Sequence, residues 1–325
     1  MIGNMNRYSA ILLAMLTLLW TAGPAAAQSK RLNVLATTGM VADLARAVAG
    51  ERAEVSALMG EGVDPHLYKP TRSDIARLTR ADVVLINGLH LEGKMDEAFQ
   101  RVASSGKPVV RVAERVPKDR RITPPDLEGN DDPHVWMAPS LWVHALDAVR
   151  DALSSADPAG ADAYARNAEA YRKDLTELDA YARRVLDSIP ANARVLVTAH
   201  DAFTYLGRAY GIEVRGIQGV STESEAGLKG IEELVALLVD RKVPAVFPET
   251  SVSDRNVQAL VEGAAARGHT VALGGALFSD AMGAPGTYEG TYIGMIDHNV
   301  TLISRALGGD APAGGFRGKL TLAQR

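Results

Sequence analysis

Short apolar runs alternate along the first part of the chain with amphipathic stretches of helical periodicity. Strands that alternate with helices are typical of a parallel sheet with helices on both faces. The predicted order is strand, helix, strand, helix, strand, at Leu32–Ala36, Met40–Val48, Val55–Met59, Ser73–Thr79 and Val83–Ile86.

The same alternation starts again after Pro190. Strands are predicted at Arg194–Thr198, Ala245–Phe247 and Thr270–Leu273, with a helix at Ile231–Val239. The fold class is therefore predicted as α/β, with two lobes that each contain a mainly parallel sheet flanked by helices.

A long amphipathic segment lies between the two series, after Asp157-Pro158 and before Pro190. Its roughly 28 residues would form a helix about 42 Å long, which is enough to join the lobes. We predict a first lobe at 28–158, a linking helix at 159–190 and a second lobe at 191–325. The apolar stripe of this helix consists of Tyr164, Ala168, Tyr171, Leu175, Leu178, Ala182, Val185 and Ile189.

The first 27 residues have the pattern of a secretory signal peptide. Arg7 precedes an apolar run at 10–20, and small residues follow at Ala25–Ala27. The run is shorter than the roughly 20 apolar residues that span a bilayer. We expect cleavage after Ala27 and a periplasmic mature chain, and without a cysteine at this position a lipid anchor has no attachment point.

Composition narrows the possible chemistry. The 325 residues are 47% hydrophobic and 23% charged, which is typical of a folded globular protein. The formal net charge of −4 leaves no basic surplus for a phosphate backbone, so we expect no nucleic-acid partner. Cysteine is absent, so any metal must be held by histidines and carboxylates. Phosphate-loop, dinucleotide-binding and serine-nucleophile motifs are also absent.

A repeated tripeptide is the most informative motif, since Asp64-Pro65-His66 recurs as Asp132-Pro133-His134. Proline stiffens each loop, and ligands of open α/β sheets bind at the carboxyl ends of strands. His200 follows a predicted strand, and Asp280 follows another after a short loop. Imidazoles and a carboxylate are donors for a divalent transition metal, so His66, His134, His200 and Asp280 are predicted as four metal ligands.

Other polar residues compete for roles at this site. Glu249 also ends a predicted strand and is an alternative to Asp280, either as a direct ligand or as a carboxylate that orients an imidazole. His90 is interpreted as a supporting or structural residue. Ser221–Glu225 is predicted to cap the following helix. We expect His144, His269 and His298 to be ordinary surface or packing residues.

These motifs together resemble the TroA-like family, the zinc/manganese solute-binding proteins of bacterial ABC importers. The resemblance covers essentially the whole mature chain. It implies two lobes joined by one rigid helix, with the metal bound between them by the four predicted ligands, and an inner-membrane ABC permease as partner. A monomer is expected. The motifs that carry the resemblance are Asp64–His66, Asn87–Glu92, Asp132–Trp136, Thr198–Phe203, Ser221–Glu225, Phe278–Asp280 and Gly286–Tyr292.

The sequence falls between the patterns of family members for different metals. Family members for manganese or iron often carry Glu at the position of His200, whereas members for zinc often carry a His-rich loop that Pro117–Asp132 does not provide. Three imidazoles and one carboxylate suit zinc better than manganese, so zinc is favoured and manganese is next. Because imidazoles must be neutral to bind metal, three protons are expected to compete with the ion.

A secreted metal-dependent hydrolase is the alternative function. Such an enzyme would use the same metal to activate water, which requires an open coordination position. Four protein ligands would close the coordination shell, so the sequence favours a binding protein without enzymatic activity.

Overall fold

A four-stranded parallel sheet lies in the N-terminal part of the chain. In this computed structural model, which describes residues 31–127, 129–224 and 227–321, the strands are β1 (Leu32–Ala36), β2 (Ala53–Ala57), β3 (Val83–Ile86) and β4 (Val109–Arg111). Their order is β2-β1-β3-β4. All pairs are parallel, and Val34 pairs with Val55 on one side and Val83 on the other. The predicted α/β topology is confirmed for this part.

Four helices accompany this sheet. The first of them buries one apolar face against the sheet, and Thr38 caps its N-terminus by accepting a hydrogen bond from the Val41 amide. Thr71 forms a capping box with Asp74 at the start of the second. The bounds are α1 (Gly39–Ala49), α2 (Arg72–Arg80), α3 (Asp96–Ser104) and α4 (Pro139–Ala156).

A second parallel sheet lies in the C-terminal part. Its strands are β5 (Val195–His200), β6 (Glu213–Gln218), β7 (Ala245–Val246) and β8 (Ala272–Leu273). Strand β5 pairs with β6, and β7 pairs with β8. A parallel bridge between Thr198 and Phe247 joins β5 to β7. The resulting order, β6-β5-β7-β8, repeats that of the first sheet.

The helices of the C-terminal part include the one predicted at Ile231–Val239. They are α6 (Thr204–Tyr210), α7 (Leu228–Asp240), α8 (Arg255–Ala266) and α9 (Tyr292–Ala306). The prediction that Ser221–Glu225 caps α7 is wrong for 221–224, and Glu225 lies outside the described residues. The N-cap residue of α7 is Gly227, which has no side chain that could cap the helix. The hydroxyl of Thr222 instead donates a hydrogen bond to Asp64.

The predicted linking helix is α5 (Ala161–Asp187), whose 27 residues extend about 40 Å. Two of its tyrosines make hydrogen bonds to helices on either side of it in the chain. Tyr171 donates a hydrogen bond to Asp43 of α1 at 2.6 Å, and the hydroxyls of Tyr181 and Thr301 of α9 lie 2.7 Å apart. The helix therefore contacts both the N-terminal helix α1 and the C-terminal helix α9.

The apolar core runs through the linking helix without a break. Val34 of the first sheet, Leu178 of α5 and Ile296 of α9 belong to one buried cluster, and from Leu32 onward the chain forms one compact unit. The lobe boundaries predicted at 158 and 190 therefore stay a prediction.

The predicted signal peptide, 1–27, lies outside the described residues. Within the described residues, no helix combines the length and apolarity needed to cross a bilayer. For convenience, 31–157 and 188–321, with the gaps stated above, are called the N-terminal and C-terminal parts.

Candidate metal site

Four buried side chains converge where the two parts meet, and they are the four predicted ligands, His66, His134, His200 and Asp280. One donor atom from each lies within 4.8 Å of the others. The Nε2 atoms of His66 and His134 are 3.3 Å apart. The Asp280 carboxylate lies 3.2 Å from Nε2 of His134 and 3.3 Å from Nε2 of His200. A tetrahedral zinc ion with bonds of 2.0–2.1 Å separates its ligands by about 3.3 Å, which matches the three atom pairs at 3.2–3.3 Å.

The repeated Asp-Pro-His tripeptide places its histidine by the same local turn in both copies. The Asp64 carboxylate accepts a hydrogen bond from the amide of His66 at 2.8 Å. The Asp132 carboxylate accepts one from the amide of His134 at 2.9 Å. Each aspartate side chain thus forms a turn by accepting a hydrogen bond from the backbone amide two residues later. The turn is encoded locally, which is why the motif is recognisable in the sequence.

Two further carboxylates lie behind the imidazoles. Asp132 Oδ1 is 2.7 Å from Nδ1 of His134, and Glu249 Oε2 is 2.5 Å from Nδ1 of His200. Glu249 also accepts a hydrogen bond from the His200 amide at 2.8 Å. A proton held on Nδ1 by a carboxylate leaves the Nε2 lone pair free for a metal. Of the two roles considered for Glu249, the structure therefore favours the one that orients an imidazole.

The centre of the cluster contains buried polar atoms that no hydrogen bond satisfies. Nε2 of His200 and both oxygens of Asp280 belong to this group. Leaving buried donors or acceptors unpaired costs about 1–3 kcal/mol each, and more for a charged group. A cation bound between these atoms would satisfy all of them, so the donor set fits a metal ion.

The electrostatics of the cluster separate His66 from the other two imidazoles. Burial lowers the pKa of His66 to about 3. Burial also opposes protonation of His134, but Asp132 and Asp280 outweigh it and raise its pKa to about 9. For His200, Glu249 and Asp280 likewise outweigh burial and raise the pKa well above its usual value. Those two imidazoles in turn hold the pKa of Asp280 well below its usual range, against the effect of burial.

Aromatic side chains close one side of the site. The ring of Trp136 packs against His134 with centroids 5.0 Å apart. Its indole nitrogen donates a hydrogen bond to the carbonyl of Ser279 at 3.0 Å, beside Asp280. Tyr292 donates to the carbonyl of Trp136 at 2.6 Å. The ligand loops of the two parts are thus bonded to one another on this side.

The remaining histidines lie outside the cluster. The His90 side chain is 65% exposed, and its Nδ1 is 3.8 Å from Asp96, so it does not support the site. His144 contacts Arg120. His269 and His298 each contact a backbone carbonyl. Sequence reasoning missed the role of Asp132, although its position two residues before His134, matching Asp64 before His66, was a usable signal.

Residues 34–306 match the family described as "ZnuA: Zinc-uptake complex component A periplasmic". The chain belongs to this family. Members of the ZnuA family bind metal ions and work with an ABC permease. The resemblance found in the sequence is thereby confirmed, and the hydrolase alternative has no support, because the family is one of transport proteins and not of enzymes.

Several relatives are similar over most of the chain. The manganese-binding lipoprotein MntA of Bacillus subtilis (strain 168) is 49% identical over 88% of this chain and 92% of its own length. The zinc-binding protein TroA of Treponema pallidum is 48% identical over 87% of this chain and 91% of its own. The solved structure of the periplasmic zinc-binding protein TroA from Treponema pallidum has a TM-score of 0.83 and covers 85% of this chain and 99% of that chain at 47% identity.

Proposed function

We propose that this ZnuA-family protein captures one divalent transition-metal ion with His66, His134, His200 and Asp280 and delivers it to an inner-membrane ABC permease. The convergence of four buried donor atoms within 4.8 Å carries this proposal. With four protein donors, a tetrahedral ion has no open position for a water nucleophile. The site therefore suits capture and release better than catalysis.

We favour zinc as the transported ion, with manganese next. The relatives do not decide the question, because one is named for manganese and another for zinc. Three nitrogen donors and one carboxylate suit zinc, whereas manganese prefers more oxygen donors. Metal analysis of protein purified from its native periplasm, combined with competition titration, tests this choice. Manganese as the bound ion and a manganese-favouring competition ratio would overturn it.

We also propose how the chain is exported, its oligomeric state and its division into lobes. Cleavage after Ala27 would release the chain into the periplasm, which N-terminal sequencing of the exported protein tests. A monomer without affinity for nucleic acid is expected, and sizing by light scattering with and without added DNA tests both points. Limited proteolysis tests whether 28–158 and 191–325 behave as lobes joined by the helix at 159–190.

His200→Glu is expected to shift the metal preference toward manganese. The change replaces a neutral nitrogen donor by an anionic oxygen donor, which suits manganese better than zinc. Zinc has a higher intrinsic affinity than manganese for nearly any such donor set. The ratio of the two dissociation constants, measured by competition on one preparation, is therefore the relevant quantity. An unchanged ratio would mean that the cavity or Glu249 sets the preference instead.

Glu249→Gln is expected to weaken zinc binding by about 10- to 100-fold while leaving the fold intact. The glutamine still accepts a hydrogen bond, but it no longer holds the His200 Nδ1 proton with a charge, and carboxylates that orient metal-bound imidazoles contribute about this much. Asp132→Asn should behave alike, because its carboxylate has the same relation to His134. Calorimetric titration measures both. Affinities equal to the parent protein would contradict the orienting role.

A further inference from the structure

The two sides of the metal site are closed in different ways. On the aromatic side, Trp136 bonds to Ser279 and Tyr292 bonds to Trp136, as described above. Tyr205 adds a third bond, donating to the carbonyl of Asp132 at 3.0 Å. All three bonds are buried and join the N-terminal part to the C-terminal part. This side is expected to stay together when the site opens.

Another side of the site, next to Asp64 and His66, is closed by the loop after β6. Thr222 donates a hydrogen bond from its hydroxyl to Asp64 Oδ2 at 2.6 Å. Glu223 forms an ion pair with Lys94 at 3.1 Å. The side chains of this pair are 31% and 52% exposed, and ion pairs in water contribute little. Thr222 is only 8% exposed, so its bond to the Asp64 carboxylate is the stronger of the two contacts.

Asp64 connects this contact to a metal ligand. Its Oδ1 accepts the amide of His66, while its Oδ2 accepts the hydroxyl of Thr222 from the other part of the molecule. The rings of His134 and His200 are each held at Nδ1 by a carboxylate of their own part. Among the contacts of the described residues, the His66 ring has no such carboxylate. The position of His66 therefore depends on Asp64, and through it on Thr222.

We propose that Thr222 is a positioning residue for the metal site. It acts through Asp64 to keep His66 on the ion while the two parts are together, and loss of this bond precedes metal release. The inference rests on the proposed function, since it assumes that His66 is a ligand. It predicts that Thr222 controls the rate of dissociation, while the choice of metal depends on the four donors.

The test compares Thr222→Val with Thr222→Ser. Valine keeps the shape of threonine without the hydroxyl, whereas serine keeps the hydroxyl. Zinc-loaded protein is mixed with an excess of a chromogenic chelator, and the dissociation rate constant is measured by stopped flow. Thr222→Val should release zinc roughly tenfold faster, as expected for loss of a hydrogen bond to a charged acceptor, and Thr222→Ser should remain within about twofold of the parent protein.

Thr123→Val is the matched control, because Thr123 makes the same kind of bond, 2.7 Å to Asp131, within the N-terminal part. Its release rate should equal that of the parent. Parental release by Thr222→Val, or equal acceleration by Thr222→Ser, would overturn the inference, as would a changed zinc-to-manganese ratio in Thr222→Val. Absence of zinc binding by the parent protein is a separate result, which would reject the proposed function itself.

Discussion

Asp280→Asn is expected to raise the dissociation constant for zinc about a thousandfold. Asp280 is the sole anionic donor among the four proposed ligands, it is buried, and its oxygens lie 3.2 and 3.3 Å from two imidazole nitrogens. Removing one charge from a buried ion pair costs about 3–5 kcal/mol, and 4 kcal/mol corresponds to roughly three orders of magnitude in affinity. Competition against a chelator of known affinity measures the change.

The substitution is nearly isosteric, so lost binding can be separated from lost structure. Circular dichroism of metal-free protein should be unchanged. Glu61→Gln provides a matched control, since Glu61 is an exposed acid on the loop that leads from β2 to His66. It should bind zinc like the parent protein. Retention of parental affinity by Asp280→Asn would show that the ion is held without this carboxylate and would reject the ligand set.

The convergence of the four proposed ligands was predictable from the sequence because most of its encoding is local. Proline and the Asp64 and Asp132 carboxylates fix each turn within three residues, and His200 is the last residue of a strand whose apolar run is evident. The alternation of strands and helices then brings strand ends to a common edge. These residues converge because parallel strands end at a common edge of the sheet. The alternation of strand and helix periodicity in the sequence already predicted such sheets.

The roles of the supporting residues were not predictable in the same way. Glu249 and His200 are 49 positions apart, and their contact depends on the bridge that aligns β7 with β5. Thr222 illustrates the same limit. Its neighbours along the chain suggest a helix cap, yet its partner Asp64 is 158 positions away. Local patterns report which groups can form hydrogen bonds, whereas long-range packing selects the partner.

The electrostatic differences among the three imidazoles also arise from long-range packing. The sequence suggests three equivalent histidines and therefore three competing protons. In the structure, His134 and His200 each lie between two carboxylates, while burial keeps the His66 imidazole neutral. Two protons, on His134 and His200, should therefore be present near neutral pH in the metal-free protein and should leave when zinc binds to Nε2.

The zinc dissociation constant is accordingly expected to rise about 100-fold for each unit by which pH falls, between about pH 7 and pH 5, where both raised imidazoles are protonated. The upper limit lies below the pKa of about 9 for His134, so that imidazole carries its extra proton throughout the window. His66, with a pKa of about 3, is already neutral and adds no proton. The carboxylate of Asp280 stays ionised because its pKa is depressed. Zinc therefore binds more weakly in acid, and two protons are released for each ion bound.

Calorimetric titration in buffers with different ionisation enthalpies counts these protons directly. His66→Ala is the informative control, because it should weaken zinc binding but leave the count at two. His134→Ala should reduce the count to one, since it removes one of the two protonated imidazoles. A parental count of three would mean that His66 is also protonated in the free protein, in conflict with its burial. A count of zero would show that His134 and His200 are already neutral in the metal-free protein, and the raised pKa of each imidazole would then be wrong.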